Sequence, residues 1–355
     1  FQFGLQATPV KPLPMDWRKW RRPPCSVAGP STLANCNFEL IWPNRASKDS
    51  FKHFGSAGAV DPEEFSRRIE KMQQRGLKAV PYINLNNLSS DSAAFHWYGR
   101  DWTAYGNSIV NYGQGYHNMA YTSICPASRG YVDVRLWENV EFVKQFNLDG
   151  FYHDNVFVIS CNKSSQHGHP ANFWPVLATR ELYKRHYAAI KSLGGEKIVI
   201  MHTAPRIIPI LAYADIVLDG ERYAFVLEDH YPDVLPLDVF RAAFMGRQWG
   251  YIPMFLPEFK APFKSFQFLK QLEPSRGLMA MLMLHDVLPW IQFCNSLPII
   301  DALDALDEFG FINAEFIPYF ADISPAVTDM EKVHVSIYRK EGEVLAVIAN
   351  LSRED

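Results

Sequence analysis

The sequence of 355 residues predicts an α/β fold, a (β/α)8 TIM barrel followed by the start of a C-terminal β-domain. Three observations carry this expectation. Short β-branched or aromatic runs alternate with longer amphipathic stretches, the pattern of parallel strands joined by helices. The expected strands number eight, the count at which such a sheet closes into a barrel. No glycine-rich phosphate turn follows the first strand, where Phe3-Gly-Leu-Gln-Ala-Thr-Pro9 stands, and an open doubly wound sheet would normally carry one there.

The elements follow in order. The first expected strand, Phe3–Thr8, is closed by Pro9, and the second, Asn37–Trp42, by Pro43 and Asn44. A helix opens at Asp61-Pro62, where Asp61 can cap and Pro62 suits the first turn, and it stops after Gln74, before Gly76. Lys78–Leu85 is the third strand. The stretch 86–128 is too long for an ordinary connection, and its Trp97, Tyr98, Trp102, Tyr105, Tyr112, Tyr116 and Tyr121 argue against disorder. Helix Val132–Phe146 leads to the fourth strand, Gly150–Val156, with Asp149-Gly150 as the turn entering it. Helix Trp174–Leu193, stopped by Gly194-Gly195, leads to the fifth strand, Lys197–Thr203. A short helix at Ile207–Tyr213 precedes the sixth, Asp215–Glu221. Helix Leu237–Gln248 precedes the seventh, Tyr251–Leu256, and helix Phe266–Leu284 the eighth, Val287–Phe293. A last helix covers Ile299–Glu308, and Val333–Tyr338 with Glu343–Asn350 reads as a hairpin around Gly342. The expected division is a barrel over 1–315 and the start of a β-sandwich over 316–355, with both ends looking cut from a longer parent chain.

Composition excludes several classes. A 48% hydrophobic content supports a large core, and a net charge of −3 with scattered Lys and Arg argues against a nucleic-acid partner. The one dense basic run, Arg18 to Arg22 between Trp17 and Pro23, reads as a solvated surface turn. No apolar stretch approaches the roughly 18 residues of a membrane span. The five cysteines lack CxxC spacing; free buried thiols are expected over a Cys25–Cys36 bridge, and the compartment stays open, with a secreted or periplasmic one suspected. No metal and no cofactor are expected.

Active-site residues of a barrel lie at the C-terminal ends of its strands. These endings supply Asn84 and Asn86, then His153-Asp154-Asn155, then His202, then Asp219-Gly220-Glu221-Arg222, then Glu258, with His285-Asp286 before the eighth strand. Alternation puts Tyr152 and Asp154 on one face of the fourth strand, and Val217, Asp219 and Glu221 on one face of the sixth. Cleavage of a glycosidic bond needs two carboxylates, about 5–5.5 Å apart for retention and about 6.5–9.5 Å for inversion. Asp154 is expected as nucleophile and Glu221 as acid/base, with Asp219 holding sugar hydroxyls unless it or Glu221 pairs with Arg222 or Arg206. Asn84, Asn86, Tyr152, Asn155, His202, Arg222, Glu258 and Asp286 are the other expected substrate-binding residues. An oligo- or polysaccharide is the expected substrate.

The Asp149-Gly-Phe-Tyr-His-Asp154 ending resembles that of the barrel glycoside hydrolases of the α-galactosidase and α-glucosidase superfamily. That resemblance implies an Asp nucleophile ending strand four, an acid/base ending strand six, a retaining mechanism and a trailing β-domain. The chain departs from the pattern in having Tyr152 where Lys or Trp is usual two residues before the nucleophile. The strand-six acid in those families is usually Asp, which leaves Asp219 and Glu221 both open.

Three other readings stand beside it. Asp154-Asn155 also resembles the acidic pair of β-N-acetylhexosaminidases that use the substrate's acetamido group as nucleophile, with Asp154 then the general acid. A metal-dependent barrel hydrolase would use His153, Asp154, His202, His285 and Asp286, without the His-x-His usual on its first strand. A non-catalytic carbohydrate-binding barrel would keep the aromatic pocket and need no opposed acids.

Overall fold

The computed structural model describes residues 5–23, 36–106, 109–112, 119–203, 207–226, 230–259 and 272–353. The chain forms two compact units, Phe1–Gln6 with Phe38–Val217 and Ala7–Asn37 with Leu218–Asp355. Among the described residues, no helix is long and apolar enough to cross a membrane.

The first unit begins with β1 (Phe38–Ile41), a hairpin of β2 (Phe51–His53) and β3 (Ser56–Ala59), α1 (Pro62–Gln74) and β4 (Lys78–Ile83). There follow β5 (Asn87–Ser89), α2 (Ala93–Trp102), β6 (Val110–Tyr112), β7 (Met119–Ser123), α3 (Arg129–Phe146) and β8 (Gly150–His153). It closes with α4 (Ser164–His167), α5 (Val176–Ser192), β9 (Ile198–His202), α6 (Ile208–Leu211) and the first half of β10 (Ile216–Asp219). Strands β1, β4, β8 and β9 pair in parallel in that order. β8 and β9 are buried along their whole length, which is why they read as continuous apolar runs.

Local chemistry explains where these elements start. The Asp61 carboxylate accepts from the backbone N–H groups of Glu63 and Glu64 at 3.1 and 3.2 Å, and Pro62 fills the first turn of α1. That helix buries Phe65, Ile69 and Met72, one stripe at helical spacing. Gly150 opens β8 at φ 147°, and a Cβ there would lie 1.8 Å from the Ile198 carbonyl oxygen, so only glycine lets β8 lie against β9.

The long stretch after β4 is folded. β5, β7 and β6 form a three-stranded antiparallel sheet, with α2 capped by the Ser92 hydroxyl between β5 and β6. Its aromatics serve different ends: Trp102 is buried and Tyr121 packs on Phe54 at 5.1 Å, whereas Trp97 is 81% exposed. Tyr116 lies outside the described residues.

The second unit takes up the end of β10, a 3-10 turn over Glu221–Phe225, α7 (Tyr231–Val234), α8 (Leu237–Phe244), α9 (Gly246–Trp249) and β11 (Ile252–Phe255). α10 (Glu273–His285), β12 (Leu288–Pro289), α11 (Leu297–Phe309), β13 (Glu315–Ile317), β14 (Val333–Lys340) and β15 (Glu343–Asn350) complete it. β10, β11 and β12 are neighbours in that order, β11 and β12 being parallel. β13, β14 and β15 form an antiparallel sheet, so the expected hairpin gains a third strand. Phe316, Tyr338, Val347 and Ala349 of this sheet join one core with Phe240, Phe244, Leu282 and Leu303 of the helices.

Three expectations are corrected. Of the eight expected barrel strands, the described residues form seven; residues 5–8 of the first are not a strand, and 1–4 lie outside the described residues. The expected eighth strand shortens to Leu288–Pro289, since Pro289 has no N–H to carry the ladder on. The basic run is no solvated turn either. Arg18 is 2% exposed and grips Asp286 with two bonds of 2.8 and 2.7 Å, Arg21 pairs with Asp307 at 2.6 Å, and Arg22 donates to Gln292 at 3.0 Å. Acids far along the chain, invisible to local composition, turn the run inward.

Candidate active site

The C-terminal ends of β1, β4, β8 and β9 bring six side chains together in the first unit. Register sets Tyr82 beside Tyr152 across β4 and β8, and alternation carries the same face on to Asn84 and Asp154. His202, the last residue of β9, reaches the same place. The rings stack: Trp42 lies 4.4 Å from Tyr82, and Tyr82 5.1 Å from Tyr152.

Asp154 is the centre of this group. Its backbone N–H donates to Asn84 Oδ1 at 3.1 Å. Its Oδ1 lies 2.9 Å from His202 Nδ1, which is also 2.9 Å from the Tyr152 hydroxyl oxygen. Its Oδ2 accepts from the Tyr82 hydroxyl, and from Asn155 Nδ2 at 3.3 Å. The side chain keeps 21% exposure, enough for a ligand to meet it. Burial alone pushes the carboxyl pKa up, but the His202 hydrogen bond and charge, the Tyr82 hydroxyl and the Asn155 backbone outweigh it, and the net shift is downward. Asp154 is therefore a carboxylate held ionised with both oxygens oriented.

His153, one residue earlier, faces the other way. It is fully buried, 4.5 Å from His186 of α5, with Nδ1 at 3.3 Å from the Ile83 carbonyl oxygen. Burial lowers its pKa to about 3, and it is a neutral core residue. The five-residue metal set is corrected accordingly: His153 is turned from Asp154, His285 lies against the Met281 carbonyl oxygen at 2.6 Å, and Asp286 is taken by Arg18 and the Tyr338 hydroxyl. None of the five belongs to a group with metal-ligand geometry among the described residues; one such group exists elsewhere in the first unit.

The remaining expected residues divide. Asn86 Nδ2 donates to the carbonyl oxygens of Asn155 and Phe157 at 2.9 and 3.0 Å, so it shapes the loop that follows Asp154. Asn155 takes φ 52°, a left-handed conformation that asparagine tolerates, as the chain leaves β8. In the second unit, Asp219 ends β10, accepts from the Gly220 N–H at 2.7 Å and pairs with Arg222 at 3.1 Å. Glu221 does not continue the strand. Gly220 sits at φ 133° and Glu221 opens the 3-10 turn, so strand alternation does not place it with Asp219. Glu258 follows β11, buried, at φ 43°. Arg206 lies outside the described residues.

Sequence reasoning missed Trp42 and Tyr82. Both carried a signal: Trp42 ends its strand just before Pro43-Asn44, and Tyr82 stands two residues before Asn84 on one face.

Residues 33–198 match the family model described as a domain of unknown function, DUF6259. No curated protein matches the chain. Among solved structures, a noncanonic maltogenic α-amylase from Thermotoga neapolitana is similar at TM-score 0.57 and 11% identity, over 89% of this chain and 77% of that one. An α-amylase from Lactobacillus plantarum gives 0.55 and 12%, over 94% and 88%. The trehalose-6-phosphate hydrolase of Bacillus licheniformis gives 0.52 and 10%, over 94% and 90%. At these identities the likeness shows a fold shared with glycoside hydrolases.

Proposed function

We propose that the protein is a glycoside hydrolase in which Asp154 is the nucleophile and Glu221 the acid/base, acting with retention on an oligo- or polysaccharide within a closed (β/α)8 barrel. The single observation that carries this reading is the Asp154 carboxylate, partly exposed at the end of a parallel strand and held ionised between Tyr82 and His202. An anionic, oriented carboxylate is what attack on an anomeric carbon requires. The fold shared with three glycosidases is consistent with it. Arg222 engages the buried Asp219, which is the structural use expected as that acid's alternative and leaves Glu221 as the proton donor. Tyr152, Trp42 and His202 would bound the sugar subsite. The acetamido-assisted reading needs Asp154 protonated as general acid, and its downward-shifted pKa counts against that.

The test is a panel of activated aryl glycosides, then turnover and sugar affinity measured side by side for Asp154→Asn and Glu221→Gln. Turnover falls by about 10²–10⁴-fold in Glu221→Gln and is lost in Asp154→Asn, with sugar binding retained in both. Parallel loss of binding and turnover in both variants overturns the assignment.

A further inference from the structure

The loop that follows Asp154 is tied to the long stretch after β4 by four side chains that the site above does not use. Cys125 and Cys161 are fully buried free thiols, and His167 and His169 are half-buried. The four side chains offer ligand atoms that all lie within 4.8 Å of one another. Cys125 Sγ is 3.4 Å from His169 Nε2, and Cys161 Sγ is 3.2 Å from His167 Nδ1. Two thiolates and two imidazoles around one tetrahedral zinc, with Zn–S about 2.3 Å and Zn–N about 2.0–2.1 Å, sit roughly 3.5 Å apart from sulfur to nitrogen.

The outer contacts fix the direction of each ring. The other nitrogen of His167, Nε2, lies against the Asp101 carbonyl oxygen, and that of His169, Nδ1, lies 2.8 Å from the Pro170 carbonyl oxygen. A backbone carbonyl accepts only from an N–H, so these contacts hold the proton on the outer nitrogen and turn the bare one toward the sulfurs. This is the arrangement that orients metal-bound histidines. The backbone is equally fixed. Cys161 exchanges two hydrogen bonds with Phe173, at 2.8 and 3.0 Å, and the Cys125 N–H donates to the Trp102 carbonyl oxygen at 3.0 Å.

We propose that Cys125, Cys161, His167 and His169 form a structural zinc site. Binding of one Zn²⁺ releases the two thiol protons to solvent, and the resulting Zn(S⁻)₂(N)₂ centre is neutral, with no open position for a reactive water. Its place in the chain gives it a mechanical role. It staples the segment after Asp154 to the end of the β5–β7 sheet, alongside the Asn162 N–H to Ala104 carbonyl bond of 3.1 Å. Sequence spacing conceals the site, because Cys125 stands far along the chain from Cys161, His167 and His169. The sequence-based expectation of no metal is the one it replaces.

The experiment is metal analysis of the full chain purified under reducing conditions, followed by Co²⁺ titration of chelator-treated protein. The expected result is about one zinc per chain, as a closed four-ligand site requires, and on Co²⁺ addition the visible bands of a tetrahedral site together with thiolate-to-cobalt charge transfer. Cys161→Ser and His169→Asn lose the metal, whereas Cys36→Ser keeps it. The Co²⁺ spectrum of the unmutated chain decides the matter even if a variant fails to fold. Reduced protein that binds neither Zn²⁺ nor Co²⁺, a metal retained by both ligand variants, or a Cys125–Cys161 disulfide persisting in zinc-supplied reduced protein overturns the proposal.

Discussion

Tyr82→Phe removes one oxygen atom from the candidate site and little else. The ring is held between Trp42 at 4.4 Å and Tyr152 at 5.1 Å, and phenylalanine keeps both stacks. What goes is the hydroxyl that donates to Asp154 Oδ2. A hydrogen bond to a charged group is worth about 1.5–3 kcal/mol. The native Asp154 pKa is shifted down, so losing a donor moves it back up. The assay is the pH dependence of kcat/KM on an aryl glycoside the unmutated protein turns over, where the acid limb moves to higher pH. Thermal melting against pH checks it without substrate. A depressed carboxylate stabilises the fold above its unfolded pKa and loses that contribution as pH falls through the folded value. The variant therefore loses less stability on acidification, and the loss is complete at a higher pH. An acid limb that stays in place, with an unchanged melting profile, would falsify the claim that Tyr82 holds Asp154 ionised.

Other perturbations test the frame around the site. Arg18→Met leaves Asp286 buried with its bidentate partner gone, and chemical denaturation should register a loss of about 3–5 kcal/mol; a change below about 1 kcal/mol would show that the pair contributes nothing to the fold. His153 is neutral with a pKa of about 3 against 6.5 unfolded, so it costs the folded state stability as pH falls from 6.5 toward 3. His153→Leu should flatten that part of the stability curve by about one proton's slope, and an unaltered curve rejects the assignment. Gly150→Ala sets a Cβ against the Ile198 carbonyl oxygen and should abolish soluble expression or lower the melting temperature sharply; an unshifted melting temperature contradicts the close approach of β8 and β9.

The parallel strands and the position of Asp154 at the end of one were legible because each rests on local pattern. Lys78–Ile83, Gly150–His153 and Ile198–His202 all fall inside their expected ranges, since apolar runs bounded by glycine, asparagine or aspartate have few alternatives. What escaped depends on distance along the chain. Arg18 reads as exposed until Asp286 is known to face it. Glu221 reads as a strand residue until Gly220 takes a left-handed φ. The strands after β4 are only three to five residues long and paired out of order, too brief for periodicity to reveal. Tyr82 was hidden by its own strand, because an aromatic in a buried run reads first as packing.

The two neighbours His153 and Asp154 point to opposite sides of one short strand, and each suits only its own side. Sliding β8 by a single position against β4 and β9 would thrust the carboxylate in among Tyr183 and His186 and expose the imidazole that belongs there. Both exchanges are unfavourable at once. The pairing of β8 is thereby proofread by the same acid to which the proposed chemistry is assigned.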